Sequence, residues 1–161
     1  MILIALGANM PGSAGSPAAA LTAALERLEE REIKILIVSS FYESPAWPDP
    51  AQPAFINAVA AVKTTLAPIE LLALLHTIES EFGRRRSLPN APRTLDLDLL
   101  DYDGLVMDDG VTLPHPRMTV RSFVLVPLAE IAPGWRHPVT GLGAAQLLAG
   151  LTDRGGVKKL A

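Results

Sequence analysis

The sequence predicts an α+β fold in which helices pack on an antiparallel sheet, and three observations carry that expectation. Segments whose apolar residues alternate with period two are interleaved with segments of helical period, the mark of a mixed sandwich. The step from the strand-like stretch 33–42 to the stretch 55–64 contains no helical pattern, and its prolines at 45, 48 and 50 exclude helix and central strand. A loop of this kind joins antiparallel neighbours, whereas a parallel pair needs a crossover. The composition, 49% hydrophobic and 19% charged over 161 residues, supplies apolar material for the core of one domain spanning 1–161.

The elements follow in order. Met1-Ile-Leu-Ile-Ala-Leu6 reads as a buried first strand; it has no basic leader, stops at Gly7 and is too short for a signal peptide or a membrane span. A loop rich in turn formers leads to Ser16-Pro17, an N-cap followed by proline at the first helical position. From there Leu21, Leu25 and Leu28, with Ala18 and Ala24, form an apolar stripe that predicts a helix to about Arg31. The stretch 33–42 is β-branched and partly alternating, and 43–50 is an extended loop. Over 55–64, period two puts Phe55, Asn57 and Val59 on one face and Ile56, Ala58, Ala60 and Val62 on the other. Asn57 in mid-strand is either a bonded edge amide or an amide that reads a ligand.

Pro68 opens a second helix with Leu71, Leu72, Leu75, Ile78 and Phe82 on its buried side; Gly83 ends it and releases Arg84-Arg-Arg86 into a loop. The strand 94–100 alternates leucine with aspartate, so Leu95, Leu97 and Leu99 face the core while Asp96 and Asp98 share the opposite face. Asp103-Gly and Asp109-Gly flank a short further strand, as in a hairpin. Residues 118–133 form a short helical or extended run, and 143–151 a last small helix. His76 reads as a helix-face residue and His137 as part of a surface loop.

Charge narrows the function. A formal net charge of -3 opposes general nucleic-acid binding, which neutralises phosphates with surplus Lys and Arg. The absence of cysteine removes disulfides, thiol nucleophiles and Cys-based zinc sites, and suits a reducing compartment. Six of the ten arginines lie between Arg84 and Arg121, a span without lysine. Arginine's planar fork matches phosphate and carboxylate, although a solvated basic face has the same composition.

Asp96-Leu-Asp98 is the strongest local constellation. Two carboxylates at this spacing on a strand have Cα atoms roughly 6 to 7 Å apart and project to one side. They can bracket hard cations, magnesium above all, which is normally held by one or two carboxylates plus substrate phosphates. The bland alternative is a solvated strand face on which two like charges repel. Arginines 84, 86, 93, 117 and 121 supply counter-charge, an arrangement expected for polyphosphate transfer, where positioning and charge neutralisation do most of the catalysis. Neither a Walker-type loop nor a dinucleotide fingerprint is present.

Taken together, Leu6-Gly-Ala-Asn9, Ser39-Ser-Phe-Tyr-Glu-Ser-Pro45, Gln52 through Phe55-Ile-Asn57, Glu79 through Gly83-Arg84, Pro92-Arg-Thr-Leu-Asp-Leu-Asp98, and Leu113-Pro-His-Pro with Arg121 and Phe123 resemble the 6-hydroxymethyl-7,8-dihydropterin pyrophosphokinases of folate biosynthesis. The match spans nearly the whole chain, and Pro-Arg-Thr-Leu-Asp-Leu-Asp is its most specific part. The resemblance implies a cytoplasmic, monomeric transferase that moves the terminal diphosphate of ATP to the pterin hydroxymethyl group with two magnesium ions, without nucleic-acid or membrane partners. It implies a ferredoxin-like antiparallel sheet with helices packed on it as a three-layer α/β/α sandwich.

Residue by residue, it implies Asp96 and Asp98 as metal ligands and Arg84 and Arg93 as catalytic arginines. ATP would be bound by Glu79, Arg84, Arg86, Arg93, Thr112, His115 and Arg121, and the pterin by Gly7, Ser44, Pro45, Phe55, Asn57 and Phe123. Core packing is the other reading of Phe123. The chain departs from the family pattern at Pro89-Asn90-Ala91, where Arg-Trp-Gly is common, and it carries Ala8, His76 and Phe55 where serine, glutamine and tyrosine are frequent. A silent binding module of the same fold, or another magnesium-dependent transferase, are the competing functions; binding alone would not require Asp96, Asp98, Arg84 and Arg93 together.

Overall fold

A computed structural model describes residues 1–46, 49–83 and 94–160. Its strands are β1 (Ile2–Ala8), β2 (Lys34–Val38), β3 (Tyr42–Ser44), β4 (Phe55–Lys63), β5 (Asp96–Tyr102), β6 (Met107–Asp108), β7 (Thr112–Leu113) and β8 (Lys158–Lys159). Its helices are α1 (Pro17–Glu30), α2 (Pro68–Glu81), α3 (Ser122–Ile131) and α4 (Ala144–Ala149). The main sheet runs β5-β1-β4-β3-β8, with β2 beside β3 on the same edge of β4, and every described pairing is antiparallel. β6 and β7 form a separate hairpin whose turn holds Asp109-Gly110.

Alternation along the strands builds two apolar layers. Ile2, Ile4 and Leu6 of β1, Ala58, Ala60 and Val62 of β4, and Leu97 and Leu99 of β5 meet Leu21, Leu28, Leu71, Leu75 and Ile78 of α1 and α2. The opposite face, from Leu3, Val59, Ala61 and Leu100, packs on Val124 and Leu128 of α3, Ala144 of α4 and Trp135. The sheet is thus the middle of three layers, as an α+β sandwich requires. Ser16 caps α1 through its hydroxyl, which accepts the Ala19 N–H at 3.1 Å.

The stretch 33–42 is not one strand. Ser39 exchanges two bonds with Val59, donating its N–H to the carbonyl at 2.9 Å and accepting the Val59 N–H on its hydroxyl at 3.0 Å. Ser40 instead donates its N–H and its hydroxyl to the Glu130 carboxylate of α3 at 2.9 and 3.1 Å. Side-chain bonds replace the ladder there and split the run into β2 and β3. Glu130 also accepts the Tyr42 hydroxyl at 2.5 Å. Burial, then this bond and the Glu130 charge, push the Tyr42 hydroxyl up to about 12. Burial would raise the Glu130 carboxyl, but the Tyr42 and Ser40 bonds and Lys159 outweigh it and hold the group below its ordinary range.

A depressed carboxyl stabilises the fold above its unfolded pKa, and that stability is lost as pH falls through the folded value. Tyr42→Phe is therefore expected to cost about 1 kcal/mol at neutral pH. The deficit should shrink as pH falls through the depressed Glu130 value. Urea melts from pH 7 down to the acid limit of the folded state check this; a deficit that stays constant throughout would show that ring packing, not the bond to the carboxylate, is lost.

His137 corrects the sequence reading. It is buried, not part of a surface loop: its Nδ1 accepts the N–H groups of Val139 and Thr140 at 3.2 and 3.1 Å, and its ring stands edge-on to Trp135 at 6.0 Å. Burial lowers its pKa despite the nearby Asp101 charge.

Candidate functional site

Strand register assembles a row of unlike side chains across four strands. Asp96 of β5 lies opposite Gly7 of β1, Gly7 opposite Asn57 of β4, and Asn57 opposite Tyr42 of β3. Asp98 lies opposite Ala5, and Phe55 opposite Ser44. Because strand side chains alternate, these residues share the face that carries Leu3 and Val59. They sit one step along their strands from the residues that pack against α3. The same alternation that sends Leu97 and Leu99 into the α1/α2 core puts both aspartates on this face, as the sequence pattern predicts.

Gly7 matters here for space. Its strand conformation is ordinary, but a Cβ at this position would lie 3.1 Å from the Asn57 amide oxygen. A side chain on Gly7 would fill the gap between Asp96 and Asn57. Asn57 is buried, and its Nδ2 donates to the Ser44 hydroxyl at 2.8 Å. That bond fixes the amide plane, with Gly7 beside its oxygen. Phe55 stands next on the same face, so an aromatic ring and an oriented amide line one end of the row.

At the other end, Asp98 has Arg121 Nη1 at 3.6 Å and His115 Nε2 at 3.9 Å, with 30% of its side chain exposed. Arg121 also lies over the Phe123 ring, 5.5 Å from its centre, so one guanidinium touches both the acidic end and the aromatic wall. Burial, reinforced by Arg121 and Arg117 and only partly opposed by Asp96, pushes His115 down to about 4. The imidazole is therefore neutral at physiological pH. Its Nδ1 accepts the Arg117 N–H at 3.2 Å, which leaves the proton on Nε2, directed toward the acidic end as a donor.

The remaining predicted site residues fall in several places. Ser44 and Pro45 close β3 beside Asn57. Thr112 is exposed on the β6–β7 hairpin, where its hydroxyl donates to Asp108 at 2.8 Å. Glu79 is buried in α2, under the other face of the sheet, and its Oε2 accepts the Leu97 N–H at 2.8 Å. Leu97 stands between the two aspartates on β5, an edge strand among the described residues, and Glu79 supplies its N–H with an acceptor from the helix layer. Arg84, Arg86 and Arg93, together with the Pro89-Asn90-Ala91 departure, lie outside the described residues.

The donor set fits magnesium. Two half-buried carboxylates project from one strand face, and among the described residues no group of three or more acidic, His or Cys side chains could hold a metal by itself. Softer metals bound by protein alone want such a group, whereas magnesium takes one or two carboxylates and completes its shell with water and phosphate oxygens.

Sequence reasoning missed the support for this end of the sheet. In the β1–β5 register Leu99 faces Ile4 while Asp101 faces Leu3, leaving Leu100 as a bulge. Asp101, 3% exposed, accepts the Trp135 indole N–H at 2.7 Å and the Gly104 N–H at 2.9 Å. Its place in the Asp-Leu-Asp-Leu-Leu-Asp run was a visible signal, but strict period two assigns it the wrong face and nothing local points to Trp135.

Comparison with known proteins bears on the whole arrangement. Residues 3–133 match the family model described as 7,8-dihydro-6-hydroxymethylpterin-pyrophosphokinase. The chain is 41% identical over 150 residues to the 2-amino-4-hydroxy-6-hydroxymethyldihydropteridine pyrophosphokinase of Pseudomonas aeruginosa, covering 92% of this chain and 90% of that protein. It is 46% identical over 117 residues to the protein of the same name from Synechocystis, covering 72% and 60%. Identity is 39% over 153 residues with a folic acid synthesis protein of Pneumocystis carinii, covering 94% of this chain but 20% of that protein. The chain thus spans a fifth of one of these relatives and three fifths of another. In fold it is similar to Plasmodium falciparum HPPK-DHPS, with a TM-score of 0.69 at 14% identity over 92% of this chain and 42% of that one. With the motif order, the α+β sandwich and the acidic strand in agreement, the chain belongs to the 7,8-dihydro-6-hydroxymethylpterin-pyrophosphokinase family.

Proposed function

We propose that this chain, acting as a single monomeric domain in the cytoplasm, transfers the terminal diphosphate of ATP to the hydroxymethyl oxygen of 6-hydroxymethyl-7,8-dihydropterin and releases AMP. The observation that carries the reading is the row Asp96, Gly7, Asn57 on one sheet face, with a pair of carboxylates at one end and an oriented amide beside an aromatic side chain at the other. The new bond joins the hydroxymethyl oxygen to the β-phosphorus; the bond that breaks links that phosphorus to the oxygen bridging it to the α-phosphate, and the hydroxyl proton is lost.

Asn57 and Gly7 read the heterocycle edge in this mechanism, since an oriented amide donates and accepts at once. Phe55 and Phe123 offer it ring faces, and Ser44 and Pro45 fix the Asn57 side of the pocket. Arg121 and the Nε2–H of His115 bind polyphosphate oxygens, with Thr112 on the hairpin beyond. The family resemblance gives Arg84, Arg86 and Arg93 the same task and makes Arg84 and Arg93 catalytic. Asp96 and Asp98 would hold two magnesium ions, which would supply charge neutralisation on the transferred diphosphate. Glu79 serves as a positioning residue, holding the strand that carries both aspartates.

Incubation with ATP and hydroxymethyl-dihydropterin tests the reading. AMP in step with pterin diphosphate is expected; ADP would mean monophosphate transfer, and neither product a silent binding module. Asn57→Ala should raise the pterin Kd with ATP affinity nearly unchanged, because a buried amide deprived of its partner costs about 1 to 3 kcal/mol at that site only. Calorimetry that found pterin binding unaltered would remove Asn57 from the pocket.

A further inference from the structure

The peptide unit between Leu100 and Asp101 faces the opposite way from what regular strand pairing dictates. Leu97 donates its N–H away from β1, to Glu79 at 2.8 Å. A two-residue repeat would turn the Leu99 and Asp101 N–H groups the same way and the Leu100 carbonyl toward β1. Instead that carbonyl accepts the His115 N–H at 2.8 Å, from the loop that follows β7. The N–H and C=O of one trans peptide plane point in opposite directions, so the Asp101 N–H faces β1, where Asp101 lies opposite Leu3. The extra residue of the bulge inverts the unit and frees the Leu100 carbonyl for His115.

The Asp101 side chain holds this inversion in place. Period two would send residue 101 into the α1/α2 core beside Leu97 and Leu99, where a carboxylate is costly. On the α3 face it is 3% exposed and fully engaged: Oδ2 accepts the Trp135 indole N–H at 2.7 Å and Oδ1 the Gly104 N–H at 2.9 Å. Trp135 belongs to the apolar layer of Leu3, Leu100 and Leu128. His115 is therefore tied to β5 through its backbone at Leu100, while its ring lies 3.9 Å from Asp98 on the same strand.

We propose that Asp101 is a positioning residue of the nucleotide site: with Trp135 it holds the peptide plane that anchors His115, and so aims the His115 Nε2–H at the polyphosphate. The inference rests on the pyrophosphokinase reading for the ligand of His115. The link is short. Asp101 and the Leu100 carbonyl share one rigid plane, and that carbonyl bonds His115 itself.

The test uses the full chain as wild type, His115→Ala, Trp135→Phe, Asp101→Ala and the two double variants that add His115→Ala, all below their melting temperatures. Kd is measured for a non-hydrolysable ATP analogue with Mg²⁺ and for dihydropterin, together with AMP release. His115→Ala should raise the analogue Kd about tenfold, the scale of one hydrogen bond to a charged group. Asp101→Ala should approach that loss. Trp135→Phe leaves the Gly104 bond and most of the ring packing in place and should raise the analogue Kd about threefold; it decides the matter where Asp101→Ala fails to fold. The dihydropterin Kd should stay within about twofold in both, and on the His115→Ala background neither change should add to the analogue loss. A merely structural Asp101 would weaken both ligands alike, and its losses would add to that of His115→Ala. An analogue Kd unchanged in Trp135→Phe and Asp101→Ala, additive losses in the double variants, or equal losses for the two ligands would overturn the proposal. His115→Ala binding the analogue like wild type would also overturn it, by taking the nucleotide from His115. AMP release by wild type decides the pyrophosphokinase reading separately, because the binding measurements do not depend on turnover.

Discussion

Asp96→Ala or Asp98→Ala is expected to lower turnover about 10³-fold or more, since each removes charge that a phosphoryl-transfer site uses in the transition state. The double variant should lose little beyond either single one, because groups acting as one unit are strongly non-additive. Asn at either position keeps the volume and should fail almost as badly. Stability should barely move. The aspartates repel each other across one strand face, and the Arg121 contact with Asp98 at 3.6 Å is partly exposed and contributes little. The melting temperature without metal should therefore stay within about 3 °C of wild type. Turnover at varied Mg²⁺ paired with metal-free melts decides the matter: a variant that melts far lower yet keeps near-normal activity would make these carboxylates structural.

What was legible in the sequence was whatever a strand or helix period writes into it. Leucine alternating with aspartate fixes which face β5 buries, and Phe55, Asn57 and Val59 sort to one face of β4 by the same rule. Ser16-Pro17 marks the start of α1. What was not legible depends on partners distant in the chain. The break between β2 and β3 is made by Glu130, ninety residues from Ser40. The burial of His137 depends on how the chain turns back at 139–142. Residue identity and spacing put the aspartates on one strand face and Asn57 on the face of β4 that joins it, but they could not say that Glu79 lies under the other face of the sheet.

Glu79 turns that difference into a measurement. Its carboxylate accepts the Leu97 N–H at 2.8 Å from within the α1/α2 layer. Glu79→Ala leaves that buried amide without an acceptor, a loss of about 2 to 3 kcal/mol, and should lower the melting temperature by about 5 to 10 °C. Because Leu97 separates Asp96 from Asp98, freeing it should also disorder the two carboxylates, so turnover falls and more Mg²⁺ is needed for half-maximal rate. Glu79→Gln retains an oxygen acceptor and should recover much of both losses. A residue that touched the nucleotide directly would behave otherwise: Ala and Gln would each weaken ATP binding while the melting temperature and the Mg²⁺ requirement stayed put. Melts, ATP titrations and Mg²⁺ profiles on the two variants separate these outcomes, and an unaltered melt for Glu79→Ala would refute the role of this carboxylate in holding the acidic strand.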